Sequence, residues 1–551
     1  MDNDYYNNIH MMSLYHICTQ FGGVRKKWKS LVHNGVMFPP EYQPHHIPVL
    51  YDGKPIQLPP HSEEVATFYA KYLDTDYVNN NKFNKNFWHD WREILRRDNI
   101  DEIQSFDKVD FSLIKKYLDG LKESKLALSD DEKDRLKEEK EAIEAPYKVA
   151  IVDDKPQPVG NYKIEPPGIF LGRGDHPKIG KIKQRIYPED VTINISPDAP
   201  IPPTLPGHKW ASVIHDRTVD WLASWKDPIS DKNKYVWLGA QSDIKAQSDK
   251  AKFDLARKLK RKINSIREAI ITDMSSTDDH LRQIATAVYL IDTFVLRVGN
   301  EKGSDAADTV GATSLRVEHI NFLDNDVIKL DFLGKDSVRY LNAVPVLPIA
   351  YKNLKEFAAG KSPDDELFDK VNSNDVNKYL QEFMKGLTAK VFRTYNASNS
   401  FSKELRKITK KYENYTGDDK MKRLLDEFNK ANLKVARLMN HQKKVPKSYA
   451  DQLEKMNEQI NQAMGELKTN PNITPAKVEK LKKKIKALKA KKKVKSETKN
   501  IALGTSKINY IDPRITVGFI KKNNIPIDKL FTKALQDKFK WAFDADENFI
   551  F

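Results

Sequence analysis

The chain has 551 residues, 39% hydrophobic and 31% charged, which is enough material for several packed cores. Its 93 lysines and arginines exceed its 77 aspartates and glutamates, and the resulting net charge of +16 suits a protein that meets a polyanion. The single cysteine, Cys18, excludes an internal disulfide framework and a cysteine-cluster zinc site, and no run approaches the roughly 18 apolar residues of a membrane span.

Residues 1–24 are polar and rich in Asn and Tyr, without the basic start and apolar stretch of a signal peptide; a disordered extension of a soluble, intracellular protein is expected. From Arg25 the run RKKWKSLVHNGVMFPPEY mixes basic and aromatic residues, and 25–128 is expected to combine short strands and helices around the aromatic stretch NFWHDWREIL. SDDEKDRLKEEKEAIEA (129–145) predicts a charged helix, with Ser129 at its start and acidic residues in its first turn. The rest of 129–242 carries prolines and β-type runs, RIYPEDVTINIS and KYVWLG among them, and reads as mainly strand. Residues 243–444 read as mainly helical. There LRQIATAVYLIDTFVLRVGN sets Ile284, Val288, Ile291 and Val295 on one stripe that Gly299-Asn300 would end, so Arg297 falls at the end of a helix. VIKLDFLGKDSVRYLNAV reads as one hairpin turning through Gly334-Lys335-Asp336.

In 445–497, Leu453, Met456, Ile460, Met464 and Leu467 recur at threes and fours, as do Val478, Leu481, Ile485 and Leu488 after a Thr474-Pro475 start. This predicts an antiparallel coiled-coil linker. Its second arm holds ten lysines between Lys480 and Lys495, a solvated face or a face toward DNA. Residues 498–551 form a last small helical piece.

No nucleotide or metal motif stands out. Gly174 to Gly180-Lys181 has five intervening residues where a phosphate loop has four, and Ile182 sits where Ser or Thr is required. Four basic residues are oddly placed: Arg297, Arg393 among Val391, Phe392 and Tyr395, Lys335 on the hairpin tip, and His441, which continues the stripe Leu424, Phe428, Ala431, Val435, Leu438. Each alone has a structural explanation, as a helix-end arginine, a bonded core histidine or a turn lysine.

The surrounding segments are more specific than their spacing. LRVGNEK, RVEHINF, FLGKDSVRY, GLTAKVFRTYNAS, MNHQKK and IALGTSKINYIDPRITV, preceded by EEVATFYAKYLD, IEPPGIFLGRGDHPKIGKIKQRIYPED and LPGHKW, closely resemble, in order, the signature segments of eukaryotic type IB DNA topoisomerases. The resemblance covers about 25–447 and 497–551. It implies a multidomain α+β fold: a bilobed DNA clamp with a mixed cap lobe, a mainly helical catalytic lobe, the coiled-coil linker and a small helical C-terminal domain. It also implies that Tyr510, one of 22 tyrosines, is the nucleophile, that Arg297 and Arg393 bind the phosphate, that Lys335 is the general acid and that His441 donates to a phosphate oxygen. Arg173, Asp336, Asn509, Glu165, Phe170 and Lys234 match positions that contact DNA or camptothecin-like inhibitors. A monomer acting on double-stranded DNA in the nucleus, needing no cofactor, is implied.

The chemistry of that set is coherent. A phenol of pKa about 10 is a poor nucleophile at neutral pH. Attack on a phosphodiester builds negative charge on the non-bridging oxygens, which guanidinium groups fit bidentately. The departing 5′ oxygen needs a proton, which a hairpin-tip ammonium reaching into the minor groove can supply. The sequence departs from the family at Leu171, where an arginine is usual, in lacking a long charged N-terminal tail, and in a linker shorter than in animal relatives. RKLKRK (257–262) or the lysine-rich arm could serve for import instead. A tyrosine recombinase would share an Arg-Lys-His-Arg-Tyr site, but no segment resembles its core-binding domain. A non-catalytic architectural protein would account for the charge and the hairpin alone.

Overall fold

The computed structural model describes residues 26–300, 303, 306–446, 448–469 and 474–551, so the expected extension 1–24 and the tip of the 445–497 hairpin lie outside the described residues. The described residues are mixed α and β and divide into two compact units, one holding those up to 248 with 303 and 306–308, the other those of 249–300 and of 309–551.

In the first unit, β1 (Leu31–His33) pairs antiparallel with β5 (Val149–Val152), which pairs with β6 (Lys155–Pro158). A second small sheet joins β2 (Val49–Tyr51) to β3 (Lys54–Ile56) and β4 (Val109–Asp110). Around it pack α1 (Pro60–Ala70), α2 (Asn81–Arg97) and α3 (Ser112–Ala127). Phe83, Phe87 and Trp91 recur at fours along α2 and are fully buried, so the aromatic stretch of the sequence is the centre of this core. The charged helix α4 (Asp130–Glu144) begins where expected: Ser129 Oγ accepts from the Glu132 amide at 3.2 Å and the Glu132 carboxylate accepts from the Ser129 amide at 2.9 Å.

β7 (Gly168–Ile169) and β8 (Ile182–Lys183) form a two-stranded ribbon. The ribbon's Gly180 has φ 91°, and a Cβ there would stand 2.1 Å from the Phe83 carbonyl oxygen. The glycine that faintly suggested a phosphate loop is thus required by close packing. The strands β9 (Val191–Asn194), β10 (Ser212–Ile214), β11 (Trp221–Lys226) and β12 (Asn233–Trp237) form a sheet in the order β10-β9-β11-β12, with Val191, Ile193, Ala223 and Val236 in a separate core.

The second unit is largely helical. α5 (Asp243–Asp273), which belongs to this unit from Asp249 on, and α6 (Asp279–Thr293) precede a three-stranded antiparallel sheet of β13 (Ile320–Leu323), β14 (Val327–Gly334) and β15 (Val338–Pro345). The expected single hairpin is β14-β15, in the register Gly334↔Val338, and β13 is an additional strand, contributed by the segment RVEHINF. Burial alternates along β14 at Ile328, Leu330 and Phe332, the period-two pattern of a half-buried strand. Then follow α7 (Pro348–Ala358), α8 (Ser373–Phe383), α9 (Ala389–Tyr412) and α10 (Lys420–Leu438). α11 (Tyr449–Thr469) and α12 (Pro475–Glu497) run antiparallel: Lys477 meets Glu466 at 2.8 Å near one end, and Lys495 meets Gln452 near the other. The inward residues Ile460 and Leu481 lie on the apolar stripes expected from the sequence. α13 (Leu503–Asn509), α14 (Pro513–Lys522) and α15 (Lys533–Lys538) complete the unit. Among the described residues no helix is long and apolar enough to cross a membrane.

Candidate active site

α9 carries Arg393 between buried Val391, Phe392 and Tyr395, so the guanidinium is drawn inward with them and is only 5% exposed. Nη1 donates to the Val295 carbonyl and Nη2 to that of Met439 at 3.4 Å, while Nε has no hydrogen-bond partner among the described residues. Burial lowers its pKa to about 10, which still leaves it cationic near neutrality.

Arg297 does not end a helix, contrary to the sequence reading. α6 stops at Thr293, and Val295 adopts φ 54°, a left-handed conformation costly for a β-branched residue. The following residues run as a loop held by two backbone bonds, Ala312 N–H to the Arg297 carbonyl at 2.8 Å and Thr313 N–H to that of Val298 at 2.7 Å. Gly299 and Gly311 make that approach possible, since a Cβ on Gly311 would lie 2.4 Å from the Gly299 nitrogen. From this loop Arg297 Nη1 donates to Tyr510 Oη at 3.2 Å.

His441 also leaves its expected place. α10 ends at Leu438, Asn440 takes φ 53°, and the amides of Asn440 and His441 bond the carbonyls of Arg437 and Ala436 at 3.0 and 2.9 Å. This Schellman closure, with Asn in the left-handed position, ends the stripe and turns the imidazole off the helix axis. His441 is 5% exposed, with its ring centroid 5.3 Å from that of Tyr510. Nδ1 lies 2.7 Å from Ser506 Oγ, and Nε2 is buried without a hydrogen-bond partner among the described residues. Burial first, then the charges of Arg393 and Arg297, hold its pKa near 4, so the ring is neutral in ordinary buffers.

Tyr510 caps α13 and is 7% exposed. Its amide bonds the Ser506 carbonyl at 2.9 Å, and its own carbonyl accepts from Ser398 Oγ at 2.9 Å, fixing the chain to α9. The Arg393 guanidinium sits 5.2 Å from the ring centroid. Burial alone would raise the phenol; Arg393 and Arg297 outweigh it and leave the pKa below its usual 10.

Lys335 occupies the β14-β15 turn, where Asp336 and Ser337 adopt φ 66° and 56°. The hairpin is tied to the His441 segment by Asn440 Nδ2 and Gln442 Nε2, which donate to the Arg339 carbonyl at 3.2 and 3.0 Å. Lys335 and Asp336 are exposed and share one cleft, of about 140 Å³, with Arg297, Arg393 and His441. The structure therefore gathers Arg297, Arg393 and His441 around Tyr510, with Lys335 in the cleft that the two arginines and the histidine line.

The other expected positions are spread over both units. Asn509 is exposed beside Tyr510. In the first unit Lys234 lies 3.6 Å from Glu165, which also pairs with Lys183, and Phe170 stands edge-on to His176 at 4.9 Å. Arg173 is exposed between Gly172 and Gly174, which have φ 60° and 62°. Two residues of the site carried no sequence signal, Ser398 and Ser506; each is a fully buried hydroxyl whose partner is remote in sequence.

Three family models match in succession: the DNA-binding fragment of eukaryotic DNA topoisomerase I over residues 26–238, its catalytic core over 241–474, and a C-terminal topoisomerase domain over 482–551. Among curated proteins the chain is 45% identical to DNA topoisomerase 1 beta of Arabidopsis thaliana, with 96% of this chain aligned to 60% of that protein. It is 44% identical to DNA topoisomerase 1 of Caenorhabditis elegans and 43% identical to that of Homo sapiens, in each case over 95% of this chain, covering 68% and 72% of the relatives. The chain thus spans about 60% of the length of the plant relatives and roughly 70% of the animal ones. With matches of this extent across the segments that build the cleft, the chain belongs to the eukaryotic DNA topoisomerase I family.

Proposed function

We propose that this chain relaxes supercoiled duplex DNA by cutting one strand and resealing it through a 3′-phosphotyrosine at Tyr510. The observation that carries the reading is the contact of the Tyr510 hydroxyl with Arg297, beneath the cation of Arg393 and beside a neutral His441. In this reading the Tyr510 hydroxyl, its pKa lowered by Arg393 and Arg297, gives up its proton to water as Oη attacks phosphorus and the bond to the 5′ oxygen breaks. Lys335 protonates that oxygen, and Arg297, Arg393 and His441 stabilise the charge on the non-bridging oxygens. The ester keeps the bond energy, so the reverse attack by the 5′ hydroxyl needs no ATP, and the charge stabilisation comes from side chains. While the nick is open the duplex turns about the intact strand.

The name shared by the relatives and the basic balance of +16 support duplex DNA as the partner. Nuclear residence, action as a monomer and trapping by camptothecin-like molecules belong to the same proposal. Its test is a duplex with a cleavable strand labelled at either end and denatured after reaction. Label should follow the protein only when it lies on the 5′ side of the cut, and peptide mapping should place the adduct on Tyr510. An adduct at the 5′ end, or on another tyrosine, would overturn the assignment.

A further inference from the structure

A neutral imidazole can offer a phosphate oxygen either an N–H or a lone pair, and only the first stabilises it. We propose that Ser506 is a positioning residue that holds His441 in the tautomer with the proton on Nε2, so that the ring meets the scissile phosphate as a donor. This rests on the cleavage reading above.

Hydrogen-bond supply separates the two tautomers. Ser506 is fully buried, and its hydroxyl has a single partner among the described residues, His441 Nδ1 at 2.7 Å. If Nδ1 carried the proton and donated to Oγ, the unpaired donor would be the serine O–H, on a fully buried residue that does not line the cleft and so is out of reach of water or phosphate there. If the serine donates instead, its proton is satisfied by the Nδ1 lone pair and the ring proton must sit on Nε2. That nitrogen is buried, without a partner, on a side chain that lines the cleft. An unpaired N–H there is a donor waiting for an acceptor, and a non-bridging phosphate oxygen beside Arg297 and Arg393 provides one.

Ser506 also fixes where the ring stands relative to the nucleophile. Its carbonyl accepts the amides of Tyr510 and Ile511 at 2.9 and 3.0 Å, so one residue bonds both the imidazole and the turn that presents the tyrosine. The His441 carbonyl in turn accepts the Ala502 amide at 2.9 Å, closing the link from the other side.

The test uses the full chain with its 13 histidines labelled with nitrogen-15, the His441 resonances being those that disappear in His441→Gln. At pH 7 the wild type should show Nδ1 at the unprotonated position and Nε2 at the protonated one. Ser506→Ala should mix the tautomers and slow single-turnover cleavage about tenfold, the scale of one hydrogen bond removed; Ser506→Thr, which keeps the hydroxyl, should restore both. A wild-type ring protonated at Nδ1 would overturn the proposal without any variant. So would a Ser506→Ala protein whose cleavage falls while its tautomer stays fixed, since the serine would then act only through packing. The ring spectrum is read without DNA, so a wild type that fails to cleave would sink the functional reading and leave the tautomer question decided separately.

Discussion

Replacing Arg393 by alanine removes the cation nearest the Tyr510 ring, and the structure gives the direction and scale of the effect. The phenol is held below its usual pKa because Arg393 and Arg297 outweigh its burial. A guanidinium whose centre lies 5.2 Å from the ring centroid, at an effective dielectric of about 20, attracts the phenolate by on the order of 3 kcal/mol. Removing that much attraction lets burial dominate, so Tyr510 in Arg393→Ala should titrate above 10 and not below it. Arg393→Lys retains charge without the planar fork and should keep the phenol below 10 while still slowing cleavage. The assay is NMR titration of protein labelled at the tyrosine ζ carbon, the resonance being assigned by Tyr510→Phe, together with the pH dependence of single-turnover cleavage. The alkaline rise in cleavage should move to higher pH with the phenol. If Tyr510 titrates at the same pH in wild type and Arg393→Ala, the arginine does not tune the nucleophile.

Lys335→Ala should slow cleavage of an ordinary strand severely yet be largely rescued by a 5′-bridging phosphorothiolate, because a thiolate leaves without a proton; equal impairment on both substrates would mean that the lysine only holds phosphate. Deleting residues 452–492 and bridging with a flexible linker should give a folded, active protein whose log affinity for DNA falls less steeply with log salt, by about 0.9 for each DNA phosphate that the hairpin lysines no longer neutralise. A folded deletion that is inactive at every salt concentration would make the hairpin part of Tyr510 positioning. His33 and His441 both have folded pKa values near 4 against an ordinary 6.5, so the unfolded chain takes up protons first. The stability they contribute is whole above pH 6.5 and is lost as pH falls toward 4; the midpoint of thermal unfolding should drop across that window, and less in His441→Gln, whereas an unchanged slope would show that His441 is not held neutral.

What the sequence made legible follows from where local chemistry decides structure. Ser129 with Glu132, Thr474-Pro475 and the alternation of Ile328, Leu330 and Phe332 set their elements by short-range bonds and burial, and these elements appear where expected. The two misplaced residues sit where tertiary bonds override periodicity. Nothing in LIDTFVLRVGN announces a left-handed Val295; its carbonyl is held by Arg393, nearly a hundred residues on, and the loop beyond it by residues 311–313. The stripe running to Leu438 gives no hint that Asn440 will close α10 and turn His441 aside. Tyr510 was separable from 21 other tyrosines only through the motif around it, because neither its burial nor its arginine neighbours are encoded in adjacent residues. Ser506 was invisible for the same reason: its role depends on a partner 65 residues away in sequence.

The most direct test of the account is relaxation of a negatively supercoiled plasmid in EDTA, without ATP, by wild type and Tyr510→Phe side by side. The substitution removes one oxygen and leaves the ring packed against His441 and Arg393, so folding and DNA affinity should be preserved. The account predicts full relaxation by the wild type and none by the variant at equal DNA occupancy. Relaxation by Tyr510→Phe, or a wild type that relaxes only when magnesium or ATP is supplied, would contradict it.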